Sequence, residues 1–246
     1  MVKIFFEVHS GLPREGPGDN ESTKKAYSML RALPEKPRII DIGCGPGMQT
    51  ITLAKLSNGK ITAVDNHQPF LEQLKKNAEK EGVSEKITVV NGDMTALDYE
   101  DSTFDLIWCE GAIFVIGFEK GLREWKRLLT GKGYLVVSEL CWLKLDPPEE
   151  VKKFLMEEYP PIKTIKGNLE TIKKAGYRVI SHFVLPKESW WTHYYKPIEA
   201  KIPSLKLKYK DDKEALDFLA VQELEIDMFR KYSDYYGYVF YIMQKE

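Results

Sequence analysis

Apolar and polar positions along this chain follow two rhythms. Short, nearly continuous apolar runs occupy residues 38–42, 60–64, 87–90, 104–109 and 134–138. Runs of this length, rich in Ile and Val, read as strands buried on both faces. Between them the spacing changes to that of helices. Met48, Ile51, Thr52 and Lys55 follow the first strand. Phe70, Leu71, Leu74 and Ala78 share one side of a segment that opens at Pro69, a natural first-turn residue. Leu122, Trp125, Leu128 and Leu129 mark a helix over 119–129, which Thr130-Gly131-Lys132-Gly133 is expected to end. Another helix is expected over 21–33, with Ala26, Met29, Leu30 and Leu33 inward and Asp19, Asn20 or Ser22 as its cap. Such alternation predicts a doubly wound α/β sheet, mostly parallel and covered on both faces.

Beyond residue 140 the alternation loosens. Residues 170–175 read as the end of a helix, 177–185 as a sixth strand and 237–243 as a seventh, the last one antiparallel. Two insertions, 141–167 and 186–236, carry Pro147-Pro148, Pro160-Pro161 and a cluster of aromatics. With the N-terminal arm, residues 1–20, they are expected to form a loop-rich cap that orders over the sheet edge. The reading is therefore one domain over 1–246. An arm and helix take 1–37, a ligand-binding core 38–140, cap insertions 141–167 and 186–236, and C-terminal sheet elements 168–185 and 237–246.

Composition narrows the function. The 246 residues hold 36 Lys+Arg against 37 Asp+Glu, a net charge of −1, so no basic excess exists to drive binding to a nucleic-acid backbone. Cys44, Cys109 and Cys141 show no metal-ligand spacing and read as small apolar fillers in a reducing, cytoplasmic setting. No metal site is expected. No apolar run approaches the ~18 residues of a membrane span.

Chemistry concentrates at the strand ends. Asp41-Ile42-Gly43-Cys44-Gly45-Pro46-Gly47 joins the first strand to the first helix. A glycine turn there brings bare backbone N–H groups against a nucleoside-bearing ligand. Its Gly-x-Gly-x-Gly spacing differs from the Gly-x-Gly-x-x-Gly of dinucleotide enzymes, and the Asp41 carboxylate suits a ligand with a cationic end. Asp65 ends the second strand where an acid accepts ribose hydroxyls. Asp93 and Met94 follow the third strand, and Glu110-Gly111-Ala112 the fourth.

As a set these motifs resemble the class I S-adenosylmethionine-dependent methyltransferases, within them the small-molecule branch typified by the ubiquinone/menaquinone-biosynthesis enzymes. Arg14-Glu15-Gly16-Pro17-Gly18 and Trp108-Cys109-Glu110-Gly111-Ala112-Ile113 resemble one subgroup of that branch. The resemblance covers about residues 16–140 and is weaker over the cap. It implies S-adenosylmethionine as cofactor, a small-molecule acceptor, and no nucleic-acid partner. It implies cofactor contacts from Asp41, Gly43, Cys44, Gly45, Gln49, Asp65, Asn66, Gly92, Asp93, Met94, Glu110 and Gly111. The helix start near Gly18 is offered for the methionine carboxylate. An Asn/Asp-Pro-Pro-Tyr/Phe turn after the fourth strand, the mark of methylation on bases or amides, is replaced by Cys109-Glu110-Gly111-Ala112. His9, Glu139 and His193 are candidate bases. Trp142, Trp191, Tyr194 and Tyr236 are candidate walls for an aromatic, prenylated or cationic acceptor. Two other readings stay open: a protein that holds S-adenosylmethionine without turnover, and a nicotinamide-dependent reductase, which the glycine spacing disfavours.

Overall fold

The computed structural model describes residues 2–246. In chain order the elements are helix α1 (Val2–His9), α2 (Asn20–Ser28), strand β1 (Arg38–Ile42), α3 (Met48–Leu56), β2 (Lys60–Asp65), α4 (Gln68–Lys80) and β3 (Ile87–Asn91). There follow β4 (Phe104–Glu110), α5 (Phe118–Trp125), β5 (Leu129–Trp142), α6 (Glu149–Glu158), β6 (Lys163–Thr164), α7 (Ile165–Lys174) and β7 (Tyr177–Val184). The C-terminal part holds α8 (Glu188–Trp190), a π-helical stretch Trp191–Tyr195, α9 (Lys196–Lys208), α10 (Lys213–Tyr232) and β8 (Tyr236–Lys245).

Seven strands lie in the order β3-β2-β1-β4-β5-β8-β7, and the short β6 pairs with the end of β5. β1 to β5 run parallel, while β8 is antiparallel to both of its neighbours. The expected sheet is present, with the two-residue β6 as an added strand. Alternate side chains of each strand feed separate cores. Ile39, Leu106, Trp108 and Val136 join Ala26, Leu53, Leu71 and Leu74 on one face. Ile40, Ile107, Cys109 and Val137 join Leu122, Trp125 and Ile172 on the other. All seven residues of β4 are buried, and all but Asp105 and Glu110 are apolar.

Three departures from the sequence reading have physical causes. The expected turn at Thr130-Gly131-Lys132-Gly133 lies inside β5, because Leu129 already pairs with Phe104 and the strand bulges before Tyr134 meets Leu106. The first of the expected helices stops at Ser28 rather than 33, with Asp19 as its cap through the Ser22 N–H at 2.6 Å. The cap is largely helical instead of loop-rich. α9 contains Pro203, a signal against a helix, and α10 leaves Val221 and Leu224 exposed, so neither helix shows one clean apolar stripe.

The N-terminal arm is likewise a helix, docked on the cap. Ile4, Val8 and Leu12 are buried, the Lys201 ammonium donates to the carbonyls of Val8 and Ser10, and the Tyr209 hydroxyl donates to Glu7 at 2.5 Å. Val8→Ala, which opens a small void at a fully buried position, is expected to cost about 1–3 kcal/mol. Urea unfolding checks this; a loss below a few tenths of a kcal/mol would mean α1 contributes no packing.

Candidate functional site

One cavity of about 520 Å³ opens at the carboxyl ends of β1 to β4 and extends beneath the cap. This is where an open α/β sheet places its ligand, at the point where strand order reverses. Its floor is the glycine loop. The N–H groups of Gly43 and Cys44 both donate to Val64 O, at 2.8 and 3.0 Å, which fixes the turn to β2. Gly45, at φ +54°, holds a left-handed conformation that a branched side chain would strain. Its N–H donates to Asp65 Oδ2 at 2.9 Å, and the His67 N–H donates to Asp65 Oδ1 at 2.9 Å. The carboxylate is thereby aimed and retains lone pairs for hydroxyl donors. Asp93 is held by the Thr95 N–H and hydroxyl, both at 2.8 Å, and that N–H keeps its carboxyl below the usual range.

At the tip of β4, Glu110 is buried and fully engaged. Its carboxylate accepts from Arg14 Nη2 at 2.5 Å, the Thr23 hydroxyl at 2.7 Å and the Trp108 indole N–H at 2.8 Å. Arg14 thus balances the charge of Glu110. Arg14 in turn keeps Nε and Nη1 buried without a partner, and it lines the cavity. The adjacent Glu15 has both carboxylate oxygens buried and unpartnered. Burial first, then the negative charge of Asp65, pushes its pKa up to about 8. Such orphaned groups on a cavity wall are what a polar ligand would satisfy. From α1, Phe6 stacks flat on His67 with ring centroids 3.6 Å apart, covering the floor beside Asp65.

Of the expected cofactor contacts, Gly43, Cys44, Gly45, Gln49, Asp65, Asn66, Gly92, Asp93, Met94, Glu110 and Gly111 line this cavity. Gly18 and Asp41 do not. The Gly18 N–H donates to Ser189 O at 3.2 Å, and its Cα packs so tightly on the Arg14 guanidinium that an added Cβ would lie 2.4 Å from Arg14 Cζ. Asp41 is fully buried beneath the loop, accepting from the Thr50 hydroxyl at 2.5 Å, so it ties β1 to α3 and makes no contact with the cavity.

Among the candidate bases only His9 lines the cavity. Its Nδ1 lies 2.8 Å from Phe5 O, a pure acceptor, so Nδ1 carries the proton and Nε2 faces the Tyr194 hydroxyl at 3.4 Å. Burial lowers its pKa, which favours the neutral ring. Glu139 lies behind the wall and accepts from the Tyr159 hydroxyl at 2.5 Å, with burial raising its pKa to about 7. His193 sits in a separate depression beside Asp19 and Ser22.

Of the expected acceptor walls, Tyr194 and Tyr236 line the cavity. Trp142 is outside it, paired with Tyr236 at the end of β5, and Trp191 packs on Arg230 and Phe229 instead. The π-helical stretch accounts for the difference. Its wider turn buries Tyr194 and Tyr195 together on the cavity side and leaves Trp191 facing α10. Arg14, Glu15, Tyr238 and Glu225 line the cavity without any local sequence signal for it, apart from the position of Arg14 and Glu15 beside Gly-Pro-Gly.

Residues 39–133 match the family described as methyltransferase domain. That match runs from β1 into β5 and identifies this part of the chain as a methyltransferase domain. Among relatives, Escherichia coli protein YjhP is 28% identical over 176 residues, 70% of this chain and 71% of its own length. Its crystal structure superposes with a TM-score of 0.85 at 22% identity, covering 99% of this chain and all of that one. A methyltransferase of Geobacter sulfurreducens in complex with S-adenosylhomocysteine gives a TM-score of 0.84 at 22% identity over 99% and 98% of the two chains. Identities this low carry the fold alone. A sterol 24-C-methyltransferase of Aspergillus fumigatus is 28% identical over 115 residues, 46% of this chain but only 30% of that protein.

Asp41 supplies a test of the loop's foundation. Burial raises its pKa from 3.8 to about 7. Between these values the native state holds a proton that the unfolded state has released. Its contribution to stability is therefore present below pH 3.8 and is lost as pH rises towards 7. Asp41→Asn keeps an acceptor for Thr50 and removes the titration. The stability of wild type relative to Asp41→Asn should fall by at least about 1 kcal/mol between pH 4.5 and pH 8, read by urea unfolding at each pH. A flat difference would mean that Asp41 ionises normally.

Proposed function

We propose that this protein is a methyltransferase that moves the methyl group of S-adenosylmethionine to a small organic acceptor held under the cap. The observation that carries this is the continuity of the cavity: Gly45, Asp65 and Met94 line one part, while Tyr194, Tyr195 and Tyr236 line another. When bound, the cofactor supplies a methyl carbon already activated by its sulfonium charge. The chain then has to bind, align and keep out water.

The residues present fit that cofactor. Asp65 accepts the ribose hydroxyls, with Gly45 and His67 N–H groups holding its orientation. Asp93 and Met94 suit the amine and face of adenine, at the end of β3. The free Nε and Nη1 of Arg14 offer two donors to a carboxylate, the usual strong pairing for a guanidinium. This reading moves the carboxylate site from the helix start at Gly18 to the side chain that Gly18 supports. On the acceptor side, α1, α8, the π-helical stretch and β8 close the cavity with aromatic rings. His9 and Tyr194 form a neutral pair at this wall through which a proton can pass when the acceptor has one to lose.

Two variants test the binding half of the proposal. Asp65→Ala is expected to weaken S-adenosylmethionine binding by about 1.5–3 kcal/mol, the scale for losing charge-assisted hydrogen bonds. Unchanged affinity in calorimetry would remove Asp65 from the site. Gly18→Ala, forcing the Arg14 guanidinium aside, should weaken the same binding by about 1–3 kcal/mol with a smaller effect on adenosine. Equal losses for both ligands would sink the assignment of Arg14 to the carboxylate.

A further inference from the structure

Beyond Gly111 the cavity changes character. The Tyr238 hydroxyl lies 4.0 Å from where a Cβ on Gly111 would stand, so the ring marks the passage from the loop end to the capped end. There the Trp190, Tyr194, Tyr195 and Tyr238 rings form a continuous wall. Trp190 is 5.2 Å from Tyr238 and 5.7 Å from Tyr195, and Tyr194 is 5.2 Å from Tyr195. α10 contributes the Glu225 carboxylate, steadied by the Tyr195 hydroxyl at 2.9 Å. Tyr236, 2% exposed, turns a buried hydroxyl without any partner to the same cavity.

The charge balance of the wall is one-sided. Glu15, Glu158 and Glu225 line it, whereas Arg14 is the sole lysine or arginine among the described lining residues and is paired with Glu110. The Lys201 ammonium is spent on the Val8 and Ser10 carbonyls. A carboxylate or phosphate acceptor would find no unpaired cation on this wall to receive it. A neutral alcohol would bring Glu225 no counter-charge. Aromatic faces beside a carboxylate and a free hydroxyl are instead the makings of a cage for an organic cation.

We propose that the acceptor is an organic amine, seated with its nitrogen against Glu225, the Tyr236 hydroxyl and the aromatic wall. This rests on the methyltransferase reading of the site and specifies its substrate class. Burial raises the pKa of Glu225, so an arriving ammonium restores the ionised form and supplies the missing partner. The ammonium gives one proton to the Glu225 carboxylate. The nitrogen lone pair then forms the N–C bond while the S–C electron pair returns to sulfur, leaving S-adenosylhomocysteine and an N-methylated ammonium.

The test uses the full chain saturated with S-adenosylhomocysteine and three probes of one shape: phenethylamine, phenethyl alcohol and phenylacetate. Calorimetry should show the amine binding at least about ten-fold tighter than either other probe. Glu225→Gln should erase that preference while S-adenosylhomocysteine affinity holds within about two-fold, and Tyr236→Phe should reduce it about three-fold. Should Glu225→Gln fail to fold, the probe ranking in wild type and the Tyr236→Phe comparison still decide. An amine that binds no tighter than the alcohol or the carboxylate, or not at all, overturns the proposal, as does a preference that survives both substitutions. Failure of S-adenosylhomocysteine itself to bind would instead defeat the reading beneath it.

Discussion

A single buried ion pair connects the parts of this molecule that matter for chemistry. Arg14, from the segment after α1, reaches Glu110 at the tip of β4, and the same carboxylate takes hydrogen bonds from Thr23 on α2 and Trp108 within β4. Both side chains are at most 4% exposed. Isolating either charge in such surroundings is costly, of the order of 3–5 kcal/mol, because nothing replaces the lost partner. The arm, the first covering helix and the central strand are thus held to one geometry by one carboxylate. The pair also fixes the guanidinium so that its remaining donors stay on the cavity wall.

The site divides its work between a rigid floor and an assembled roof. The floor is backbone: the Gly43 and Cys44 N–H groups are tied to Val64, and Asp65 is braced by the N–H groups of Gly45 and His67. Such a floor is set by the sheet and changes little with the ligand. The roof is side chain, drawn from α1, the π-helical stretch, α10 and β8. Its ring contacts and the hydrogen bonds of Lys201 and Tyr209 to α1 make arm and cap one packed layer. A floor of backbone and a separate roof of side chains let one scaffold change its roof without disturbing the floor.

Burial also explains which acids are available for binding. Asp41, Glu110 and Glu139 are all below 9% exposed, and each is committed to a structural partner: Thr50, Arg14 and Tyr159. Asp65, Asp93, Glu15 and Glu225 line the cavity itself. An acid at a strand end is thus not one kind of residue. Asp41 and Glu139 lie away from the cavity, whereas Glu110 lines it with its carboxylate held by Arg14, Thr23 and Trp108.

The sequence by itself determined the sheet, the glycine turn and the acids at the ends of β1 to β4. These are local features: strand burial shows as an apolar run, and a turn against a ligand needs glycine within a few residues of the strand. The helix after Asp19 was likewise legible from its cap, and Asp65 from its distance past the loop. What only the tertiary structure decided lies in contacts between distant segments. Arg14 meets Glu110, and Tyr195 meets Glu225, because separate elements converge on one cavity. The cap helices escaped notice because they pack against several neighbours at once, so their apolar residues do not fall on a single stripe. The choice of Tyr194 and Tyr195 over Trp191 as cavity walls depended on one π-helical turn, a change of register that no spacing rule in the sequence records.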